Sequence, residues 1–267
     1  MKIEVLLAMM FYEQEAENFL DTMNIQTDII IGNQCDYNDN QTFLHNENRV
    51  TVLSRKERGV GKNRNTALFY SGADVVIFAD NDVRYYNGYA EKVSSFYQSH
   101  SDADVVIFNF KEKRGDEPLH DINTKNKKAH LKDITKFGTW AVTARRESIL
   151  KKRISFSLLF GGGAKYSCGE DSLFLCDCYN KGLNIYLSDA TLGEVVHKES
   201  TWYSGITEKY IYDKGALFKA LSPKMHIPII FYHVIKHKEV YAQFGSTKAI
   251  LQIMFKGAKN YESCKNS

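Results

Sequence analysis

Two carboxylates one residue apart close an apolar run in Val75-Val76-Ile77-Phe78-Ala79-Asp80-Asn81-Asp82. Read as a buried strand, the run delivers both to its carboxyl end, the edge of an α/β sheet where ligands bind. Hard oxygen donors there suit Mg²⁺ or Mn²⁺, ions that usually also hold substrate phosphates. A solvated turn capping the next helix is the plainer reading of this triplet alone. A calcium loop does not fit. Counted from Asp80, the fifth place is Arg84 and the sixth Tyr85, where a ligand and a glycine are required.

Three further segments carry chemistry-bearing residues. Arg58-Gly59-Val60-Gly61-Lys62-Asn63-Arg64-Asn65 lies between a strand and a helix. It is not a phosphate loop, because Lys56 stands five places before Gly61 and Asn63 replaces the Ser or Thr. A flexible turn opening a helix, with Lys62 and Arg64 near its positive end, still suits an anionic phosphate. Gly161-Gly162-Gly163-Ala164-Lys165-Tyr166-Ser167-Cys168-Gly169-Glu170-Asp171 is a glycine loop followed by two acids. The loop lets backbone approach a ligand, and a carboxylate at the helix start can take a proton from a hydroxyl. Capping alone would account for an isolated acidic pair. In Glu194-Val195-Val196-His197, a histidine closes an apolar strand and is a candidate metal ligand. Trp202 is either a sugar-stacking platform or core. Cys176 and Cys178 have the wrong spacing for zinc and read as buried packing.

The elements that position these groups follow from periodicity. Ile3–Leu7, Asp28–Ile31, Val50–Leu53, 74–79 and 104–108 read as strands, several of them apolar without alternation and so buried on both faces. Helices are expected at 13–21, 62–70 and 89–98, giving a βαβ crossover sheet. Residues 111–132 read as an exposed excursion, and 138–144 as a strand. A helix follows over 171–180, then strands at 183–187 and 192–196. The remainder reads as helical. In 248–259, Ile250, Ile253, Met254 and Gly257 share one face and Lys248, Gln252, Lys256 and Lys259 the other.

The 267 residues are 43% hydrophobic and 25% charged, with three prolines, which excludes disordered and fibrous classes. No apolar run approaches a membrane span. Residues 1–11 read as a core strand rather than a signal peptide. Five cysteines without a C-x-x-C pair fit a reducing cytoplasm. Net charge is +3, but from Lys209 onward ten Lys face three acids, leaving the rest at −4. A basic tail without Arg or a reading motif points to an anionic surface rather than nucleic acid.

In combination, the order strand, D-N-D, glycine loop with G-E-D, strand ending in His resembles the GT-A glycosyltransferases. More closely it resembles the bacterial family 2 enzymes of capsule, exopolysaccharide and O-antigen assembly. The matching residues are Gly61 with Arg64-Asn65, Asp80-Asn81-Asp82, Gly169-Glu170-Asp171 and Ser200-Thr201-Trp202. The resemblance implies an α/β fold, a Rossmann-like mixed sheet flanked by helices. Residues 1–205 would form the transferase domain and 206–267 a basic helical extension. It also implies an inverting, metal-dependent enzyme that moves sugar from a nucleotide-diphosphate donor, expected to be a UDP-sugar, to a saccharide hydroxyl. The acceptor would be lipid-linked by polyprenyl diphosphate, at the inner face of the cell membrane. Asp82, His197 and Asp80 would hold Mn²⁺ or Mg²⁺. Arg64, Asn33, Asp80, Asn81 and Asp82 would bind donor, and Gly162, Gly163 and Trp202 the acceptor. Asp171 would be the base, with Glu170 orienting a substrate. One departure concerns the turn after the second strand, Asp-rich in the family and here Asn33-Gln34-Cys35-Asp36. Asn33 or Gln34 would supply the hydrogen bonds to the base. A nucleotidyltransferase making nucleotide-sugars and a non-catalytic nucleotide-sugar-binding module stay as alternatives. The first should show a Gly-rich basic signature at the first strand, where Leu7-Ala8-Met9-Met10-Phe11 has none.

Overall fold

Val- and Ile-rich runs without alternation build the centre of one mixed sheet. The computed structural model describes residues 1–12, 17–112, 123–196 and 205–265. Its strands are β1 (Ile3–Met10), β2 (Asp28–Gln34), β3 (Asp39–His45), β4 (Asn48–Arg55), β5 (Val75–Asp80), β6 (Val83–Tyr85), β7 (Val105–Glu112), β8 (Lys127–Lys128), β9 (Val142–Arg145) and β10 (Ile185–Val195). They lie in the order β3-β4-β2-β1-β5-β9-β7-β10-β6, with β8 also on β10. The β4-β2-β1-β5 core is parallel, and β9 runs antiparallel between β5 and β7. In β5, Val75 through Ala79 are buried, as a central strand covered on both faces requires.

The helices are α1 (Glu17–Met23), α2 (Val60–Tyr70), α3 (Tyr89–Ser99), α4 (Leu131–Ile134), α5 (Arg146–Lys151), α6 (Glu170–Asn180), α7 (Glu208–Leu221), α8 (His226–Lys236), α9 (Lys238–Tyr241) and α10 (Thr247–Lys265). The expected mixed sheet flanked by helices, with a helical C-terminal extension, is therefore present. That extension has its own core of Ile211, Ile230, Val234, Tyr241, Ile250 and Met254. A smaller cluster joins Phe160 and Tyr166 of the glycine loop to Ala216 and Leu217 of α7. No described helix is long and apolar enough to cross a membrane.

Several expectations need correction. β3 is an additional antiparallel edge strand, invisible to an apolar pattern because most of its side chains are polar and exposed, with only Phe43 and Leu44 apolar. The strand expected from 138 starts at Val142, after a 3₁₀ turn at Thr139–Ala141. The two strands expected at 183–187 and 192–196 are one, β10, whose register shifts between Leu187 and Gly193 disguise its continuity. The excursion at 111–132 contributes β8 and the start of α4; residues 113–122 lie outside the described residues. On α10, Ile250 and Met254 of the apolar face are buried in the extension's core, so that face packs within the extension.

Candidate active site

One buried arginine joins three segments that are remote in sequence. Arg64 on α2 is 4% exposed. Its Nη2 donates to Asp80 Oδ1 at 2.6 Å, and its Nη1 to Glu170 Oε1 at 2.9 Å. Asp80 ends β5 and Glu170 begins α6. The guanidinium also lies 5.5 Å from the centre of the Phe156 ring. Burial opposes its charge, but the Asp80 and Glu170 carboxylates outweigh that and raise its pKa. A planar fork with donors on two sides is what this bridge demands, and Lys cannot supply it.

The support beneath Arg64 is equally specific. Asn65 uses its whole amide on Phe156, accepting from the backbone N–H at 2.8 Å and donating to the carbonyl at 2.9 Å. Phe156 stacks on Phe174 of α6 with ring centres 4.1 Å apart, and both meet Phe78 of β5 edge-on. Val60 N–H, opening α2, donates to the Gly162 carbonyl at 2.9 Å. The start of α2 and the glycine loop are thus one unit.

In that loop, Gly161 has φ +105°, and a Cβ there would lie 2.8 Å from the Glu170 carboxyl carbon. Only glycine lets the backbone pass so close to the carboxylate in that conformation. Gly162 is half-buried and Gly163 exposed. Gly169, also at φ +105°, turns the chain into α6 where a side chain would strike Leu217 of α7. The loop is clamped from the extension by fully buried Asp213. Its Oδ2 accepts from Ser167 N–H at 2.8 Å, Ser167 Oγ at 2.7 Å and Lys209 Nζ at 2.6 Å.

Asp171 follows Glu170 in the first turn of α6 and accepts from Ser172 N–H at 2.6 Å. Burial, and then the neighbouring Glu170 charge, push its pKa up to about 6; Arg64 and Lys214 pull the other way. A carboxylate with that proton affinity is ionised at neutral pH yet a better base than a free Asp. Lys214 and Asp213 come from α7, and nothing in the sequence pattern linked them to the G-E-D segment.

At the far side of the β1 and β2 ends, Asn33 is fully buried. Its Oδ1 accepts from Tyr12 N–H at 2.9 Å and its Nδ2 donates to Ser54 Oγ at 3.0 Å. Gln34 Oε1 accepts from Gly59 N–H at 2.7 Å. Beside them Phe11, half exposed, carries the Arg58 guanidinium 5.2 Å from its ring centre. Arg58 in turn donates to the Cys35 carbonyl at 2.7 Å and to Asp36 Oδ1 at 2.6 Å. Phe11 and Arg58 were not singled out from sequence. The available signal was an aromatic residue just beyond the first apolar run.

Asn81 is exposed and Asp82 half-buried. The Asp82 carbonyl accepts from Val196 N–H at 2.7 Å, where β10 runs antiparallel to β6. His197, Ser200, Thr201 and Trp202 lie outside the described residues. Among the described residues no group of three His, Cys, Asp or Glu is placed to hold a metal. Asp80 and Asp82 nevertheless offer the hard oxygen donors that Mg²⁺ or Mn²⁺ takes, with substrate phosphates completing the shell. Two clefts lie off this site. One of about 450 Å³ is lined by Asp21, Asn24, Arg84, Tyr86, Asn87 and Glu194. Another of about 320 Å³ lies within the extension, beside Val234, Lys238 and Tyr241.

Comparison with solved structures finds the same fold. Residues 1–349 of S. aureus TarS, in complex with UDP-GlcNAc, are 18% identical with a TM-score of 0.61, over 82% of this chain and 66% of that one. A longer S. aureus TarS structure is 15% identical with a TM-score of 0.63, over 95% of this chain and 55% of that one. TarS 1–349 alone is 15% identical with a TM-score of 0.62, over 98% and 92%. Comparison with curated proteins finds no match. The model of glycosyl transferase family 2 matches residues 18–154, a span that holds Arg64 and Asp80–Asp82 and ends before Glu170 and Asp171. The chain belongs to glycosyl transferase family 2, whose members transfer a sugar from a nucleotide-sugar donor to an acceptor.

Proposed function

We propose that this protein is an inverting, metal-dependent glycosyltransferase that uses a UDP-sugar and a saccharide acceptor carried on a polyprenyl-type lipid, in surface-polysaccharide assembly. The observation that carries the reading is the Arg64 bridge, which holds Asp80 and Glu170 to one guanidinium with Asp171 next in sequence. The domain division goes with it: residues 1–205 do the chemistry and 206–267 brace it, in keeping with the separate core of α7–α10.

Asp171 takes the proton from the acceptor hydroxyl as that oxygen attacks the anomeric carbon. The bond from that carbon to the diphosphate oxygen breaks, and the nucleoside diphosphate leaves with the electron pair. One displacement without an enzyme nucleophile inverts the configuration. Glu170, fixed by Arg64, orients the reacting sugar. Gly162 and Gly163 present backbone to the acceptor, and Trp202 stacks on it. Asn33, Asn81 and Arg64 set the donor side, Arg64 by fixing Asp80, and Asn33 by tying β1, β2 and β4 together beneath the nucleoside. Family 2 enzymes generally use a divalent cation, and here Asp82, Asp80 and His197 would hold it. Bound there, Mn²⁺ or Mg²⁺ would stabilise charge on the diphosphate. A UDP-bound TarS structure supports the choice of base.

A panel of nucleotide-sugars, titrated calorimetrically with Mn²⁺ and assayed for slow donor hydrolysis, tests the reading. Binding and hydrolysis of at least one UDP-sugar are expected. Failure of every nucleotide-sugar to bind would refute it.

A further inference from the structure

The helix α8 is apolar over most of its circumference, with His226, His233 and Lys236 gathered on one side. Ile230 and Val234 are buried in the extension's core. The adjoining side carries Ile227, Phe231 and Ile235 at i, i+4, i+8, flanked by Pro228 and Tyr232. Those side chains face water: Ile227 is 49% exposed, Phe231 44%, Tyr232 66% and Ile235 63%. Met225 and Val240 extend the exposed patch beyond both helix ends. Single exposed apolar residues are ordinary, but a contiguous stripe of this size marks a surface that something covers.

Charge around the stripe identifies what covers it. From Lys224 to Lys259 there are six Lys and one acid, Glu239, and all six Lys are exposed. Lys224 and Lys236 bracket α8 and Lys238 follows it. Phe231 meets Phe255 of α10 with ring centres 5.8 Å apart, which carries the patch to the helix bearing Lys248, Lys256 and Lys259. A second copy packed on this face would bring like charges together. An anionic lipid headgroup layer over an acyl boundary complements both the lysines and the apolar stripe. At 11 residues α8 is about 16 Å long, too short to span a bilayer and suited to lying in its surface.

We infer that the exposed α8 stripe, ringed by Lys224, Lys236 and Lys238, docks this protein on an anionic bilayer surface. The surface belongs to α8, since the apolar face of α10 is buried in the extension's core. The inference goes beyond the sugar-transfer reading and is independent of it, since binding needs neither donor nor acceptor.

The test is co-sedimentation of the full chain with phosphatidylglycerol-containing vesicles and with pure phosphatidylcholine vesicles, at low and high salt. Wild type should sediment with the anionic vesicles at low salt, and less as salt rises. The double variant Phe231→Asp/Ile235→Asp changes only exposed positions and should melt like wild type but stay in the supernatant. Lys236→Gln/Lys238→Gln should lower the partition roughly 30-fold, at about fivefold per Lys. A Phe231→Trp variant should shift its emission to the blue on anionic vesicles. The inference is overturned if wild type ignores anionic vesicles, or if the aspartate double variant still sediments. It is equally overturned if analytical ultracentrifugation shows a lipid-free oligomer that the aspartate variant dissolves, since a second copy would then cover the stripe.

Discussion

Replacing Asp171 by Asn separates the chemistry of this carboxylate from its cost to the fold. Asp171 sits in a place that disfavours its charge, through burial first and the Glu170 carboxylate second, so its pKa rises from 3.8 to about 6. The sign follows from linkage. Below pH 3.8 the group is protonated in both states and contributes nothing. Between 3.8 and 6 the unfolded chain ionises first, so stability falls as pH rises, and above 6 the penalty is constant. At about 1.4 kcal/mol per unit, the shift caps that penalty at roughly 3 kcal/mol, and residual solvent contact makes 1–3 kcal/mol the expected range. Asn keeps an oxygen for the Ser172 N–H and removes the charge. The variant should therefore gain roughly 1–3 kcal/mol at pH 8, about 2–4 °C of Tm per kcal/mol, and nothing at pH 3.5. Turnover should fall by roughly 10²–10⁴, the worth of a positioned general base. The wild-type kcat/KM should fall below about pH 6 as the base protonates. Urea melts at both pH values and a transfer assay read these together. Unchanged turnover would remove the base assignment, and an Asn variant no more stable than wild type at pH 8 would refute the electrostatics.

Three more outcomes follow from the same geometry. Arg64→Met leaves the Asp80 and Glu170 carboxylates without their shared cation and should cost about 3 kcal/mol in urea unfolding, the low end because Asp80 reaches solvent. Asp82→Ala should weaken Mn²⁺-dependent UDP-sugar binding in calorimetry while leaving the melting temperature close to wild type; unchanged affinity contradicts the metal assignment. Asp213→Ala removes the acceptor for Ser167 N–H and Oγ and for Lys209. It should cost roughly 2–3 kcal/mol and raise the KM for acceptor through the loosened glycine loop, both checked by urea melts and initial rates.

Much of the sheet was legible because its central strands are buried on both faces and read as unbroken Val and Ile runs. The edge strand β3 was not, since a polar solvent-facing strand has no apolar pattern to show. β10 was misread as two strands because its bulges interrupt the repeat. At the site, the D-N-D and G-E-D segments were visible as carboxylates at element ends. Their connection through Arg64 was not, because a contact between residues 64 and 170 leaves no mark on spacing. The clamp from Asp213 and the platform of Phe11 and Arg58 stayed hidden for the same reason. The basic tail was visible as composition, and α10 was visible as a helix with one apolar and one Lys-bearing face. Periodicity there showed an amphipathic helix without showing that the extension's own core claims its apolar face.

A crystal structure with UDP-sugar and Mn²⁺ bound tests most directly whether these acidic segments form one donor site. The diphosphate should lie beside Asp82 and Asp80, with the anomeric carbon facing the Asp171 carboxylate. Nucleotide bound elsewhere, such as in the cleft beside Arg84 and Asn87, with Asp171 remote from the sugar, would contradict the proposed chemistry.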